Sequence, residues 1–187
     1  MDEDEFGPLL RSAQGGDELA YGALWRRHQA RVLRYLTVAA GRDAADDIAS
    51  ETWLDVARSL GRFDGDEDDF RRWLFTIARR RMIDARRAQA RRPMVVGLDD
   101  RLEQAATGAG PAELVESASA TEEALAIIAT LKPDQAEIVA LRVIGGLDVP
   151  AVATLVGKSA GAVRVAAHRG LRELAARLSA DEGIDRR

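Results

Sequence analysis

Apolar residues recur every three or four positions over long stretches of this chain, which is the spacing of amphipathic helices. The pattern predicts helices over residues 17–40, 44–60 and 69–91, with a loop rich in carboxylates over 61–68. No segment alternates convincingly between apolar and polar residues, as a half-buried strand would. The chain is therefore predicted to be all-α.

A helix pair is predicted in the last third of the sequence. Its first helix covers 149–156, and a longer helix follows the turn Gly157-Lys158-Ser159. The apolar stripe of the longer helix comprises Val163, Ala167, Leu171, Leu174 and Leu178. Gly157 supplies the tight connection, and the Ser159 hydroxyl is placed to cap the second helix. This is the outline of a helix-turn-helix, whose second helix normally enters the major groove of DNA.

The face of the longer helix opposite that stripe is basic, although the whole chain has a formal net charge of −4. His168 lies at helical spacing from two of its arginines. The basic residues between 158 and 177 are Lys158, Arg164, Arg169, Arg172 and Arg177, against Glu173 alone. Salt screens more distant acidic residues within about 10 Å, so the local charge decides whether DNA binds. A solvated basic face is the alternative, but the turn, the cap and the charge together favour DNA.

A second basic run follows aromatic residues in the helix predicted over 69–91. Phe70 and Trp73 open that helix, and Asp84 opposes the arginines that follow. These arginines are Arg79, Arg80, Arg81, Arg86, Arg87, Arg91 and Arg92. Aromatic rings stack on unpaired bases while arginines hold phosphates, so the combination suits single-stranded DNA better than duplex. The alternative is again a solvated helix face.

Composition divides the chain and excludes several classes of function. Residues 93–120 contain glycine and proline without sustained periodicity, which predicts a flexible linker. The expected organisation is one small helical domain over 1–93, a linker over 94–120 and a second small domain over 121–187. The absence of cysteine excludes disulfides, thiolate zinc sites and thiol catalysis. With two distant histidines and no complete phosphate loop, the chain is expected to be neither an enzyme nor a holder of cofactors or metals.

Targeting signals are absent from the sequence. It has neither the pattern of a signal peptide nor an apolar run of about 20 residues, so a cytoplasmic protein without membrane contact is expected. Residues 2–5 are expected to be a mobile acidic tip without a function. His28 is expected to be a partly exposed helix residue rather than a ligand.

Three segments, in this order, resemble the extracytoplasmic-function group of bacterial sigma factors, in the sigma-70 family. The helix that such factors dock onto the clamp helices of RNA polymerase corresponds to ADDIASETWLDVARSL. The part that melts and reads the −10 promoter element corresponds to FDGDEDDFRRWLFTIARRRMIDARR. The helix-turn-helix domain that reads the −35 element corresponds to LKPDQAEIVALRVIGGLDVPAVATLVGKSAGAVRVAAHRGLRELAARL. The strings WLFTIARRRMID and GAVRVAAHRGL in this order are highly specific.

The resemblance implies three sets of contact residues. The polymerase-facing set comprises Asp46, Asp47, Ile48, Glu51, Trp53 and Leu54. The −10 set comprises Phe63, Asp64, Trp73, Arg79, Arg80 and Arg87. The −35 set comprises Lys158, Ser159, Arg164, Val165, His168 and Arg169. The linker would run toward the active-site channel of the polymerase.

Three positions depart from the pattern of the family. Glutamine is common where Ser50 stands, and asparagine where Arg80 stands. Because arginine can only donate hydrogen bonds whereas an amide also accepts them, the −10 base preference is expected to differ here. Gly170 replaces a better helix former, at a cost of about 1 kcal/mol against alanine if the position is exposed.

The implied function is promoter recognition by a subunit of RNA polymerase. The factor would dock on the clamp helices and flap of core polymerase, read the −35 duplex and capture unpaired −10 bases, while polymerase performs the catalysis. Core polymerase and promoter DNA are the expected partners. Anti-sigma proteins commonly hold such factors inactive and add a candidate third partner. The main alternative is a helix-turn-helix transcriptional regulator that is not a polymerase subunit, and another is a helical adaptor without DNA affinity.

Overall fold

The computed structural model describes residues 3–91 and 112–182, and every element within them is helical. The α-helices are α1 (Glu3–Gln14), α2 (Glu18–Ala40), α3 (Arg42–Ser59), α4 (Glu67–Arg91), α5 (Ala112–Ala129), α6 (Pro133–Val143), α7 (Val149–Val156) and α8 (Ala160–Glu182), with a 3-10 turn at Leu60–Arg62. The prediction of an all-α protein is confirmed for this part of the chain. The helices predicted over 17–40, 44–60, 69–91 and 149–156 agree with α2, α3, α4 and α7 to within about two residues.

Helices α1 to α4 pack into a first bundle with α2 in contact with all the others. The Asp17 carboxylate starts α2 by accepting the backbone amides of Leu19 and Ala20 at 2.9 and 3.2 Å. Gly41, at φ +89°, separates α2 from α3. The chain can therefore fold back on itself around one apolar core. Its most buried members include Leu24, Val32, Leu36, Val56, Phe70, Leu74 and Phe75.

Helix α1 corrects the expectation of an acidic tip, because the helix already begins at Glu3. Phe6, Leu10 and Ala13 are buried against the bundle. The centroid of the Phe6 ring lies 5.6 Å from that of Phe70 on α4. These apolar residues follow the acidic ones at helical spacing, which is the sequence signal that indicates α1.

His28 is buried, so the expectation of a partly exposed residue was wrong. Its side chain is 1% exposed and its ring centroid lies 5.1 Å from that of Phe70. Helix α4 covers this face of α2, which the pattern along α2 alone does not reveal. Burial, above all, lowers the pKa of His28 to about 4, so the imidazole is neutral at pH 7.

Helices α6, α7 and α8 form the helix-turn-helix bundle. The Asp148 carboxylate accepts the backbone amide of Ala151 at 2.7 Å and so caps α7. Gly157 ends α7 in the left-handed conformation, at φ +69°. The Ser159 hydroxyl accepts the amide of Ala162 at 3.1 Å at the start of α8. The predicted turn at Gly157 and the predicted cap at Ser159 are both confirmed.

The buried stripe of α8 differs from the predicted one. Leu171 and Leu178 are 48% and 49% exposed, whereas Val163 and Leu174 are buried. Gly170 occupies the buried position between them, and a Cβ there would lie 2.8 Å from Cγ2 of Val139 on α6. A glycine adds no apolar side chain to a sequence pattern, so the prediction chose Leu171 in place of Gly170, whereas Val163 and Leu174 are buried as predicted. The glycine at this position permits the close approach of α8 to α6.

The two bundles pack against each other through α2, α5 and α6. Tyr35 on α2 is fully buried, and its ring centroid lies 5.4 Å from that of Phe75. The Tyr35 hydroxyl donates to Oε1 of Glu137 at 3.3 Å, and Nε of Arg79 donates to the same oxygen at 2.8 Å. Glu137 on α6 therefore connects the second bundle to both α2 and α4 of the first.

Helix α5 begins at Ala112, inside the segment predicted as a linker. The rest of that segment, residues 93–111, lies outside the described residues. Arg92 of the basic run also lies outside them.

Candidate nucleic-acid and polymerase interfaces

Helix α8 presents a basic surface that α6 and α7 leave open. Arg164, Val165, His168 and Arg169 are all exposed. Among the described residues, no carboxylate lies within 4 Å of the guanidinium groups of Arg164 or Arg169. Their positive charge is therefore available to an external anion, and the exposed Val165 between them offers an apolar contact of the kind made with thymine methyl groups.

The other two members of the −35 set lie at the entry to α8. Ser159 is engaged as the helix cap. The ammonium group of Lys158 donates to the Asp134 carboxylate at 2.9 Å, and both side chains are largely exposed. An exposed pair of this kind contributes about 0–1 kcal/mol, so a phosphate can displace Asp134 at small cost. The structure thus brings all six residues of the −35 set to one end and face of α8.

The loop that joins the 3-10 turn to α4 carries the first two residues of the −10 set. This Phe63 loop (residues 63–66) holds the Phe63 ring stacked on that of Trp73, with centroids 5.0 Å apart and an interplanar angle of 29°. Both rings are half-buried, and Asp64 beside them is exposed. The pair forms an aromatic platform with an acceptor group next to it, which is the kind of surface on which an unpaired base stacks.

Two features shape the Phe63 loop. Gly65 has φ +151°, and a Cβ there would lie 2.7 Å from Cβ of Asp69. Asp66 and Asp69 cap each other, with the Asp69 amide donating to Oδ1 of Asp66 at 2.7 Å. This path into α4 therefore requires glycine at position 65, and the capping bonds define the start of the helix.

The arginine run of α4, which the sequence treats as one basic face, divides into two groups. Arg79 is bound to Glu137, the Arg81 guanidinium forms a paired hydrogen bond with Asp55, and Arg86 donates to the carbonyl of Ala39. The hydrogen bond from Arg81 is the main cause that lowers the pKa of Asp55. Arg80 and Arg87 are exposed and lie 4.0 and 3.8 Å from the Asp84 carboxylate. Three arginines of the run thus stabilise the fold, whereas Arg80, Arg87 and Arg91 are exposed, with Nε of Arg91 donating to the carbonyl of Arg87 at 3.2 Å.

An open groove of about 250 Å³ brings the arginines of the −10 set together at the boundary of the two bundles. Arg79, Arg80 and Arg87 all line it, together with Thr76, Ile83, Asp84 and Leu155. Phe63, Asp64 and Trp73 are not among its lining residues. The −10 set is thus divided between an aromatic platform and a basic groove, both on or next to α4.

The polymerase-facing set lies on α3 and divides by burial. Asp46, Asp47 and Glu51 are exposed, and Leu54 is 49% exposed. Ile48 and Trp53 are 5% and 6% exposed, which corrects the expectation that they reach the surface.

Contacts with α2 explain why Trp53 is internal. The Trp53 indole N–H donates to the side chain of Gln29, and the Trp53 carbonyl accepts from the hydroxyl of Tyr21 at 2.8 Å. Only the acidic residues and Leu54 can therefore touch a partner directly. The buried side chains of Ile48 and Trp53 instead pack α3 against the rest of the first bundle.

Two residues with clear structural positions were missed by the sequence argument. Gln14 contacts the Phe63 loop from α1, and Glu137 links the bundles. Gln14 follows an apolar stripe at helical spacing, which indicates a helix at this position. No sequence pattern indicates the role of Glu137.

Some kinds of site are not found in the part of the chain that the structure describes. No group of three or more metal-binding side chains is arranged there to hold a metal ion. No helix in the same ranges combines the length and the apolar character needed to cross a membrane.

Comparison with known families agrees with this division into two bundles. The family model described as Sigma-70 region 2 matches residues 24–92, and that of Sigma-70, region 4 matches residues 121–174. The chain belongs to the sigma-70 family. The first match contains α3, the Phe63 loop and α4, and the second contains the helix-turn-helix.

Curated relatives narrow the group within this family. The sigma factor BldN of Streptomyces coelicolor is 33% identical over 174 residues, which cover 92% of this chain and 66% of BldN. SigD of Mycobacterium tuberculosis is 31% identical over 179 residues, covering 93% of this chain and 84% of SigD. ShbA of Streptomyces griseus is 32% identical over 187 residues, covering 94% and 98%. All three are named ECF RNA polymerase sigma factors, and the predicted resemblance to the extracytoplasmic-function group is confirmed.

Solved structures share the fold at low sequence identity. CnrH, in complex with the cytosolic domain of CnrY, has a TM-score of 0.61 and 23% identity, covering 96% of this chain and 99% of the other. RpoE of Bartonella quintana, in complex with the anti-sigma factor NepR, has a TM-score of 0.57 and 19% identity, covering 85% and 98%. These likenesses establish the two-bundle helical architecture of this sigma factor.

Proposed function

We propose that this sigma factor directs promoter-specific initiation by contacting DNA at two points, a −35 duplex through α8 and an unpaired −10 base through the Phe63 loop. The observation that carries the proposal is the pairing of these two surfaces in one chain. One is an exposed helix face on which Arg164 and Arg169 have no acidic partner among the described residues, and the other is an aromatic platform with exposed arginines nearby.

Duplex recognition is assigned to α8 on the basis of its free cations. Arg164 and Arg169 lie on the exposed face of the second helix of a helix-turn-helix, the helix that enters the major groove in this motif. Each can neutralise a phosphate or bind guanine through two hydrogen bonds. Lys158 and the N-terminus of α8 favour a phosphate at the groove edge.

Capture of an unpaired base is assigned to the Phe63 loop. Stacking on an aromatic side chain contributes about 1–3 kcal/mol per base and offsets part of the cost of unstacking a base step. Arg80 and Arg87 lie open to the adjacent backbone phosphates. Asp64 can accept a hydrogen bond from the captured base.

Polymerase docking is assigned to the exposed part of α3. Asp46, Asp47 and Glu51 lie within about two turns before the exposed Leu54 on α3, so Leu54 supplies an apolar contact next to acidic residues. The polymerase clamp helices are the proposed partner of this surface, and the flap that of the second bundle. Catalysis is left to polymerase, the step takes place in the cytoplasm, and an anti-sigma protein is a further proposed partner on the ground of family membership.

The decisive experiment is run-off transcription with purified core polymerase on a linear template. Templates are first selected from a random DNA pool by the complex of polymerase with this chain. Specific transcripts that depend on the chain are expected. A helix-turn-helix regulator that is not a polymerase subunit would bind DNA but give no transcript from core polymerase alone, and that result would contradict the proposal.

Variants of α8 test the −35 surface. Arg164→Ala and Arg169→Ala are each expected to weaken binding to the selected −35 duplex by about five- to a hundredfold, the range of 1–3 kcal/mol for one lost contact. Fluorescence anisotropy at several salt concentrations measures this loss. Arg177→Ala is the matched control, because Arg177 lies on the same helix but is bound to Thr130 and Glu173. Unchanged affinity in both test variants would show that α8 does not read the duplex.

A further inference from the structure

We infer that Gln14 on α1 is a positioning residue for −10 base capture, acting through the backbone of the Phe63 loop. The side-chain amide of Gln14 donates to the carbonyl of Leu60 at 3.0 Å and to the carbonyl of Phe63 at 2.6 Å. One NH₂ group thus bridges the two ends of the turn that leads from α3 into the loop. The inference rests on the proposed role of the Phe63 loop in base capture.

The two carbonyls that Gln14 binds can each accept its side-chain amide, and the Phe63 carbonyl receives no backbone amide among the described residues. Carbonyl groups at the C-terminus of a helix have no partner within the helix. The Leu60 carbonyl also accepts the Phe63 amide at 3.0 Å, which closes the 3-10 turn, and it has a second lone pair free for Gln14. The Phe63 carbonyl accepts the Gln14 amide at 2.6 Å. Gln14 therefore fixes the orientation of the peptide between Phe63 and Asp64, the two residues proposed to meet the base.

The ring contacts and the Gln14 contacts hold different parts of the loop. The side chain of Phe63 is held by its stack on Trp73 and by an edge contact with Phe70, whose centroid lies 5.5 Å away. These contacts involve the ring and not the peptide group between Phe63 and Asp64. Gln14 restrains that peptide group, so the aromatic platform and the Asp64 carboxylate keep a fixed relative geometry.

Helix α1 places the Gln14 amide with precision. Phe6 and Leu10, two and one turns earlier on α1, are buried against the first bundle. After Gln14 the chain turns at Gly15 and Gly16, whose backbone amides donate to the carbonyls of Arg11 and Ala13 at 3.0 and 3.1 Å. The end of α1 is therefore held on both sides of Gln14. The region 2 match begins at residue 24, so this support lies outside the segment that the family model covers.

The test compares three variants. Gln14→Leu removes both donors at similar size, and Gln14→Glu keeps the shape but places a carboxylate oxygen against two carbonyls. Ser12→Ala is the matched control, because it deletes a side-chain hydrogen bond of the same helix that does not reach the loop. Thermal unfolding of each variant confirms that the first bundle remains folded. Hydrogen exchange of the amides in residues 61–66 reports whether the loop has been released.

The functional readout is base selectivity in the complex with core polymerase. Open-complex formation is measured on selected promoters in which each −10 position carries each of the four bases. Both Gln14 variants are expected to reduce the preference at one −10 position by about five- to tenfold, with unchanged affinity for the −35 duplex. The same loss is expected on a template with a premelted −10 region, because base capture is still needed there. Ser12→Ala should behave as the wild type does.

Three outcomes would overturn the inference. Wild-type selectivity in Gln14→Leu is one, and recovery of that variant on the premelted template is another, because α1 would then affect melting rather than capture. The third is a loss of selectivity in Ser12→Ala as large as the loss in the two Gln14 variants. Absence of any −10 preference in the wild type would instead remove the proposed role of the Phe63 loop, and the inference with it.

Discussion

At the scale of single residues, side chains of the same type have different roles in the structure. Arg79 and Arg80 are neighbours in the basic run of α4, yet Arg79 is bound to Glu137 while Arg80 is exposed. The two histidines differ in the same way, since His28 is buried in the first bundle and His168 is exposed on α8. In each pair the surroundings, and not the residue type, decide the role.

His28 makes stability depend on pH. Burial lowers its pKa to about 4, with Arg27, Arg31 and Arg71 adding to this effect and the Glu67 carboxylate, 4.0 Å away, opposing it. Above pH 6.5 the imidazole is neutral in both folded and unfolded chains. Below it the unfolded chain gains a proton that the folded chain excludes, so stability falls as the pH drops toward 4.

The expected loss from His28 is about 2 kcal/mol between pH 7.5 and pH 5.0. Urea unfolding at the two pH values measures it. His28→Leu should lose less stability than the wild type over this range. His168→Leu, which removes the exposed histidine, should retain the full loss. An equal decline in the wild type and in His28→Leu would show that another group causes it.

At the scale of elements, the crossing of α8 over α6 depends on a missing side chain. A Cβ at residue 170 would lie 2.8 Å from Cγ2 of Val139 and 3.3 Å from Cδ1 of Leu131, both of which are buried. Val139 is β-branched and cannot easily rotate away. The helix propensity that glycine forfeits is thus offset by close packing between the two helices.

Gly170→Ala is therefore expected to destabilise the second bundle. Alanine adds about 1 kcal/mol of helix propensity, but overpacking costs typically 1–3 kcal/mol, so a net loss is expected. Thermal unfolding followed by circular dichroism measures the change. Gly161→Ala is the matched control on α8, because its Cβ would meet nothing closer than the Ser159 hydroxyl at 4.0 Å, and it should leave stability unchanged or raise it. A Gly170→Ala variant as stable as Gly161→Ala would contradict the packing argument.

At the scale of the whole molecule, Glu137 joins the two bundles. Its carboxylate receives hydrogen bonds from Arg79 and Tyr35, and burial, first of all, raises the pKa of the Tyr35 hydroxyl far above its usual range. The hydroxyl is therefore a donor at every pH of interest. Arg79 belongs to the −10 set. In this arrangement a residue proposed to contact DNA is therefore bound to Glu137 of the second bundle.

Glu137→Ala is expected to loosen the packing of the two bundles and to release Arg79. Removal of one partner from a mostly buried charged hydrogen bond costs about 1.5–3 kcal/mol. Small-angle X-ray scattering should show a larger radius of gyration, and a single-stranded −10 oligonucleotide should bind about two- to fivefold more tightly. Glu123→Ala, which removes an exposed carboxylate from α5, should change neither quantity. An unchanged radius in Glu137→Ala would show that other contacts hold the bundles together.

The sequence by itself determined the all-α class, the position of α2, α3, α4 and α7, the turn at Gly157, the cap at Ser159 and the membership of the sigma factor family. These features depend on spacings of a few residues and on the order of short motifs, which are properties of the chain as written. The prediction from local spacing was wrong at two places: it overlooked α1, and on α8 it assigned Leu171 to the buried stripe in place of Gly170.

Only the tertiary structure decided which side chains are available. The contact of Gln14 with Leu60 spans 46 positions and that of Tyr35 with Glu137 spans 102. Burial of His28, Ile48 and Trp53 likewise depends on helices that pack from elsewhere in the chain. Local spacing carries no record of such pairings, because the partner that buries or neutralises a side chain is chosen when the helices assemble.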